Sequence, residues 1–180
     1  MINDREREVA LGLLTRSRQT LVDAVDGVTD AQAHWQPFAE RWSILQYVEH
    51  LAISDDGLIA MIRRSLKDPP VDETPEARDA RRAKMRETHM PRGVNKAPEF
   101  LLPDGRFASL GDAVAGFLAA RERTMEYARA TTDDLHRHFV AHHVLGPMSG
   151  YEWLVANGRH AELHAGHIKE LRVMDGFPAA

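Results

Sequence analysis

The chain has 180 residues, 43% of them hydrophobic, which is enough for one substantial core in a single domain spanning 1–180. Its formal net charge of -4 creates no positive field for phosphate backbones or anionic lipid, so nucleic acid and membrane are disfavoured as partners. With no cysteine, disulfides, thiolate metal sites and a cysteine nucleophile are excluded, and imidazole and carboxylate remain as the strong ligands.

The stretch "MINDREREVALGLL" has no apolar run of signal-peptide length, and nothing later reaches the ~18 apolar residues of a membrane span, so a soluble cytoplasmic protein is expected. From about Asp4 to Val28, Val9, Leu13, Leu14, Leu21, Val25 and Val28 recur at mostly three- and four-residue spacing, the mark of an amphipathic helix. After a turn at Pro37, Ser43 and Gln46 form the S-x-x-Q pattern of a capping box. A second helix should therefore start near Ile44 and run to about Leu66, because Asp68-Pro69-Pro70 cannot continue it.

A proline-rich, densely charged connector of roughly forty residues follows. Thr74, Pro75 and Glu76 read as the cap, first position and first-turn acid of a short solvated helix within it. The apolar patch "EFLLPDGRF" reads as a loop packed across the bundle, since Pro103 and Gly105 interrupt both helix and strand. A third helix opens at Ser109, with Asp112 three positions on, and reaches about Ala130. Ser149 and Glu152 form another capping box for a fourth, which stops at Asp175-Gly176. No segment alternates in the manner of a strand. The expected fold is all-α: a four-helix bundle with a long crossover connector, containing a short helix, between helices 2 and 3.

The chemistry concentrates in ten histidines. His34 and His89 fall at turns or exposed positions and suggest no chemical role. His136, His138, His142 and His143 lie in the connector before the last helix, where solvation, capping and pocket lining all remain open. His160 and His164 stand i and i+4 on one helix, about 5–6 Å apart at Cβ, a spacing at which two ring nitrogens can share an ion at ~2.1 Å. His50 is the candidate third ligand. An antiparallel second and fourth helix would bring it to the depth of that pair, whereas a parallel pairing would leave them ~9 Å apart along the axis. Three neutral imidazoles keep coordination positions open for water or substrate, the pattern of a catalytic metal. His167 shares the stripe one turn on and is a candidate for supporting a ligand or lining the pocket. Glu49 and Asp55 should project to other faces, as solvated residues or supports of the ligands. Trp42 and Trp153 read as core or staple aromatics. The run Arg121, Glu122, Arg123 reads as a solvated face, with an arginine available to an anionic substrate.

The segments "RWSILQYVEHLA", "APEFLLPDGRF", "HHVLGPMSGYEW" and "RHAELHAGHIKEL" together resemble the DinB-like superfamily, in particular its branch of bacterial metal-dependent hydrolases and bacillithiol transferases, over nearly the whole chain. The single histidine of that family's second helix matches His50, and its H-x-x-x-H in the last helix matches His160 and His164. The resemblance implies an up-down-down-up bundle, a divalent metal on three histidines and frequent homodimers, without implying DNA binding. Members often carry glutamine where this chain has His167. The expected activity is hydrolysis or small-thiol S-transfer on a small-molecule substrate, with zinc or nickel as the ion. Without cysteine, a transferred thiol must come from a low-molecular-weight thiol such as bacillithiol or mycothiol. Three imidazoles by themselves suit zinc, nickel, copper or iron. The alternatives are a non-catalytic helical dimer or ligand-binding module with a structural or adventitious metal, and a bundle with no metal. Because ligation needs neutral imidazole, affinity is expected to fall below pH ~6.5.

Overall fold

Each long helix begins where a side-chain oxygen meets the backbone amides that a helix start leaves unpaired. Asn3 opens α1 (Asp4–Val25), Ser43 opens α3 (Ile44–Ser65), Ser109 opens α5 (Leu110–Ala130) and Ser149 opens α6 (Gly150–Arg172). Three of these are reciprocal capping boxes, completed by Glu6, Gln46 and Glu152. The computed structural model describes residues 1–87 and 97–179; His89 and Pro91 lie outside them. No helix among the described residues is long and apolar enough to cross a membrane.

The expected boundaries of the second, third and fourth helices agree to within about two residues. The first helix stops at Val25 rather than Val28, because Gly27 takes a left-handed conformation (φ 69°) and ends the turn. Val9 is half exposed and so is not part of the buried stripe. Two elements were not anticipated. A single-turn helix α2 (Asp30–His34), capped by Thr29, lies between α1 and α3. An antiparallel hairpin, β1 (Phe139–His142) with β2 (Gly146–Ser149), pairs Phe139 with Ser149 and His142 with Gly146, its turn closed by Gly146 at φ 78°. Four-residue strands, one containing Pro147, are too short to show alternation, which is why this segment reads as connector in the sequence.

The helix directions follow from the contacts that cross between them. Asp55 meets Arg121 while Arg63 lies over the Tyr127 ring, so α3 and α5 run the same way. Leu13 abuts Gly158 while Arg172 Nη1 donates to the Ala24 carbonyl, so α1 and α6 are also parallel. His50 faces His160 while Asp55 faces Asn157, making α3 and α6 antiparallel. Arg7 reaches Ala128 while Arg18 pairs with Glu122, making α1 and α5 antiparallel. This is the up-down-down-up order. The long connector is what allows α3 and α5 to be parallel, and it carries α4 (Pro75–Glu87), which buries no side chain. Arg81 ties α4 to Glu73 and Glu152 at 2.7 and 2.5 Å, and Arg82 adds a bond to Glu152 at 2.8 Å.

The core comes in two apolar parts. One gathers Leu21, Ile44, Val48, Leu51, Phe117, Ala161, Ala165, Ile168 and Leu171; the other gathers Leu14, Leu58, Ile62, Met125, Ala128 and Leu154. Between them along every helix lies a polar layer: Ser17 on α1, Asp55 on α3, Arg121 on α5 and Asn157 on α6, all buried. The expectation of a solvated Arg121 is therefore wrong. Its guanidinium is fully buried and bonded to Asp55 at 2.8 Å, because α5 turns this position, three residues from Thr124, toward the bundle axis.

Close packing of α1 on α6 relies on Gly158, where a Cβ would lie 2.6 Å from Leu13 Cγ and 3.4 Å from the Leu13 backbone carbon. Alanine is intrinsically the better helix former by ~1 kcal/mol. Overpacking against a side chain anchored this near its backbone costs ~1–3 kcal/mol. Gly158→Ala should consequently lower the melting temperature, measured by thermal denaturation; an unchanged or higher value would show that Leu13 yields freely.

Candidate metal centre

Residue 50 sits two turns into α3, and residues 160 and 164 sit on the stripe of α6 that faces it. Antiparallel packing brings the three rings together: His50 Nε2 is 3.1 Å from His160 Nε2, and His164 Nε2 is 2.9 Å from that same atom. One ligand atom from each falls within 4.8 Å of the others, with His50 and His164 buried and His160 partly exposed. These are the three residues singled out in the sequence.

Neighbouring groups fix how two of the rings are turned. His50 Nδ1 donates to the Leu101 carbonyl at 2.7 Å, in a 3-10 turn at Glu99–Leu101 within the apolar connector segment. A carbonyl can only accept, so the proton of neutral His50 is on Nδ1 and its Nε2 presents a lone pair. The Leu101 turn is held in turn by Glu49, whose buried carboxylate accepts from the Asp104 and Arg106 amides at 3.2 and 2.8 Å. The residue beside the ligand thus secures the loop that orients the ligand. His167 Nδ1 lies 3.3 Å from His164 Nδ1, so the outer nitrogen of His164 is also partnered and its Nε2 faces inward. Outer hydrogen bonds of this kind set the tautomer and basicity of metal-binding histidines.

Aromatic rings close one side. Trp42 is 4.8 Å from the His50 ring and 6.2 Å from His164, and Tyr47 is 5.2 Å from His164 and 5.4 Å from His167. Trp42 also packs against the apolar core, as its sequence position suggested. Trp153 likewise packs against the second apolar cluster, and its Nε1 donates to the Val140 carbonyl of the hairpin at 3.1 Å. Among the described residues, the histidines other than His167 stay outside the cluster. His34 Nδ1 lies 2.8 Å from the Asp30 carbonyl, His136 pairs with Glu6 at 3.0 Å, and His138 bonds the Ser65 carbonyl at 3.1 Å. His143 stacks on His142, whose Nδ1 accepts from the Val144 and Leu145 amides and so closes the hairpin turn.

Burial keeps the three imidazoles neutral. Desolvation, with smaller contributions from His50 and Arg121, pushes His160 down to about 3. His164 lies well below the ordinary 6.5, through burial and then His160 and His50. His50 is lowered by burial, partly offset by its bond to Leu101. Proton competition for the cluster is therefore moved to more acidic pH than an ordinary imidazole would give.

The donor set fits a cation. His160 Nε2 is either a donor or an acceptor, and His50 Nε2 presents a lone pair, so in the metal-free neutral cluster the three nitrogens cannot all be paired donor to acceptor. An ion at ~2.1 Å from each nitrogen would separate them by about 3.0 Å at right angles and about 3.4 Å in a tetrahedron. The two edges observed, 2.9 and 3.1 Å, lie within about half an ångström of those values.

A helix bundle that converges three neutral imidazoles on one point defines a candidate divalent-metal protein. The DinB superfamily family model matches residues 13–168, and the chain belongs to that superfamily. It is 26% identical over 164 residues to the uncharacterized protein YuaE of Bacillus subtilis (strain 168), covering 90% of this chain and 96% of that one. Among solved structures it is similar to YfiT from Bacillus subtilis, described as a probable metal-dependent hydrolase with an unusual four-helix bundle topology. That match has a TM-score of 0.65 and 21% identity, over 99% of this chain and 92% of the other. A conserved protein of Enterococcus faecalis matches with a TM-score of 0.62 and 14% identity, over 92% and 94% of the two chains. At these identities the two structures establish the shared fold.

Because the folded-state values lie below the unfolded value of about 6.5, the unfolded chain binds protons that the folded metal-free chain refuses, and stability falls as pH drops through that window. Chelator-treated protein should lose melting temperature from about pH 7 to about pH 4, and His160→Gln should flatten the profile relative to wild type. Parallel profiles for the two proteins would show that these rings do not couple to folding.

Proposed function

We propose that this chain is a divalent-metal enzyme of the cytoplasm in which His50, His160 and His164 hold zinc or nickel, and that it hydrolyses a small-molecule electrophile or transfers a low-molecular-weight thiol to one. The observation that carries this reading is the convergence of three neutral imidazoles, two of them buried, with ring nitrogens at 2.9 and 3.1 Å and no fourth protein ligand joined to them among the described residues. Three protein ligands are the pattern of catalytic zinc sites, whereas structural sites are closed by four. When bound, a divalent cation supplies Lewis acidity that makes water or a thiol nucleophilic near neutral pH.

The chain's own residues perform the remaining tasks. The Leu101 carbonyl holds His50 in the tautomer that offers Nε2, and the His167 contact at Nδ1 orients the His164 ring with its Nε2 inward. Trp42 and Tyr47 keep water from one side of the cluster. The description of YfiT as a probable metal-dependent hydrolase supports the hydrolytic branch. With no cysteine in the chain, the thiol-transfer branch needs an external thiol such as bacillithiol or mycothiol. A homodimer belongs to the same proposal and is read by light scattering after size exclusion.

The test uses protein purified without a histidine tag, loaded with zinc or nickel and assayed on activated esters, epoxides and alkyl halides, with and without those thiols. Metal near one equivalent, with turnover that chelation and His50→Ala reduce to background, is the expected result; dependence on thiol selects transfer over hydrolysis. Turnover that survives both treatments would remove the metal from the reaction. Chelation that lowers the melting temperature in the absence of any turnover would favour a structural metal in a binding module.

A further inference from the structure

We propose that the buried polar layer sets the axial register of α3 against α6, making Asp55 and Asn157 positioning residues for the metal centre; this rests on the metal-binding reading above. Asn157 Nδ2 donates to Asp55 Oδ1 at 2.9 Å, and Arg121 Nη2 donates to Asp55 Oδ2 at 2.8 Å and to the Asn157 carbonyl at 3.4 Å. Arg121 Nη1 reaches Ser17 Oγ at 2.9 Å, so one guanidinium joins all four bundle helices.

The spacing along the two ligand-bearing helices is matched. Asp55 lies five residues beyond His50 on α3. Asn157 lies five residues before position 162, the midpoint of His160 and His164 on α6. At 1.5 Å per residue, both intervals are about 7.5 Å. Closing the Asp55–Asn157 bond therefore sets His50 level with its two partners. Apolar ridges do not enforce this, because packed helices can step by one turn, about 5.4 Å, and find new grooves. Such a step would carry His50 beyond bonding reach of an ion held by α6, and it would break the polar layer.

The layer is poorly suited to being a source of stability. Two fully buried charges carry a large desolvation cost, which good geometry offsets only if the remaining donors are satisfied. Arg121 Nε is buried with no protein partner. Apolar residues of similar size would fold the bundle as well or better, whereas a hydrogen-bonded quartet specifies one alignment.

Three variants and zinc alone, with affinity measured by competition against a chromophoric chelator, test this. The apolar replacement Asp55→Leu with Arg121→Met should keep or raise the metal-free melting temperature while weakening zinc binding by about tenfold or more. Asn157→Ala, which cuts the direct α3–α6 link but leaves the ion pair, should also weaken it severalfold. Ser17→Ala, which loosens only ligand-free α1, should lower the melting temperature and leave zinc affinity unchanged. If the double variant does not fold, the comparison of Asn157→Ala with Ser17→Ala decides. Wild-type affinity in Asn157→Ala, or affinities that merely follow the melting temperatures, would overturn the register role. Wild-type protein that binds no zinc would overturn the metal reading, and the register role with it.

Discussion

Three ring nitrogens brought together, two of them at 2.9 and 3.1 Å from the third, are the constraint on which the site depends. Such an arrangement is unfavourable in isolation and persists because rigid helices impose it. His50 is on one helix and His160 and His164 on another, so their meeting is a property of helix direction and axial alignment. Direction comes from the connector: only a crossover long enough to return along the bundle lets α3 and α5 run parallel and leaves α6 antiparallel to α3. The same connector supplies Leu101, whose carbonyl turns His50. Topology and tautomer are thus set by one segment.

Alignment is a finer matter. The two apolar clusters lie toward opposite ends of the bundle, and the layer of Ser17, Asp55, Arg121 and Asn157 divides them. Apolar contacts are plentiful and non-directional; they favour compactness and admit more than one alignment, a turn apart. Hydrogen bonds from a planar guanidinium and a carboxylate are directional, and few alignments satisfy them together. The division of labour is physical: bulk burial holds the helices together, and a minority of polar bonds determines which residues face each other.

What was legible in the sequence was mostly local. Ser43, Ser109 and Ser149 announce helix starts because a capping side chain acts within three residues of itself, and the i, i+4 histidine pair is a neighbour relation on one helix. Placing His50 beside that pair required an antiparallel assumption, supported by the family resemblance rather than by any short pattern. The burial of Arg121 was illegible because "RERT" reads as charge on a solvent face unless Asp55, sixty-six residues away, is known to lie opposite. A supporting role for Glu49 could be named, but its partners could not, since they are amides of a loop that begins fifty-five residues on. The hairpin was missed on a different ground, its strands being too short for periodicity to register.

Stability and ligand binding meet differently at the two polar sites of this bundle. At the histidines they are opposed in the metal-free state: burial strips the rings of water, lowers their proton affinity and leaves their lone pairs facing inward, so the fold bears a cost that a cation relieves. At the Arg121 layer the charges are of opposite sign and already neutralise each other, so occupancy of the metal centre changes little there. The bundle therefore holds uncompensated lone pairs where an external ion can complete them, about 7.5 Å along the helices from a layer that is already charge-balanced. A binding site built this way draws its affinity from the incompleteness of the folded chain. Its geometry is drawn from elsewhere, from bonds that stay made whether or not the ion is present.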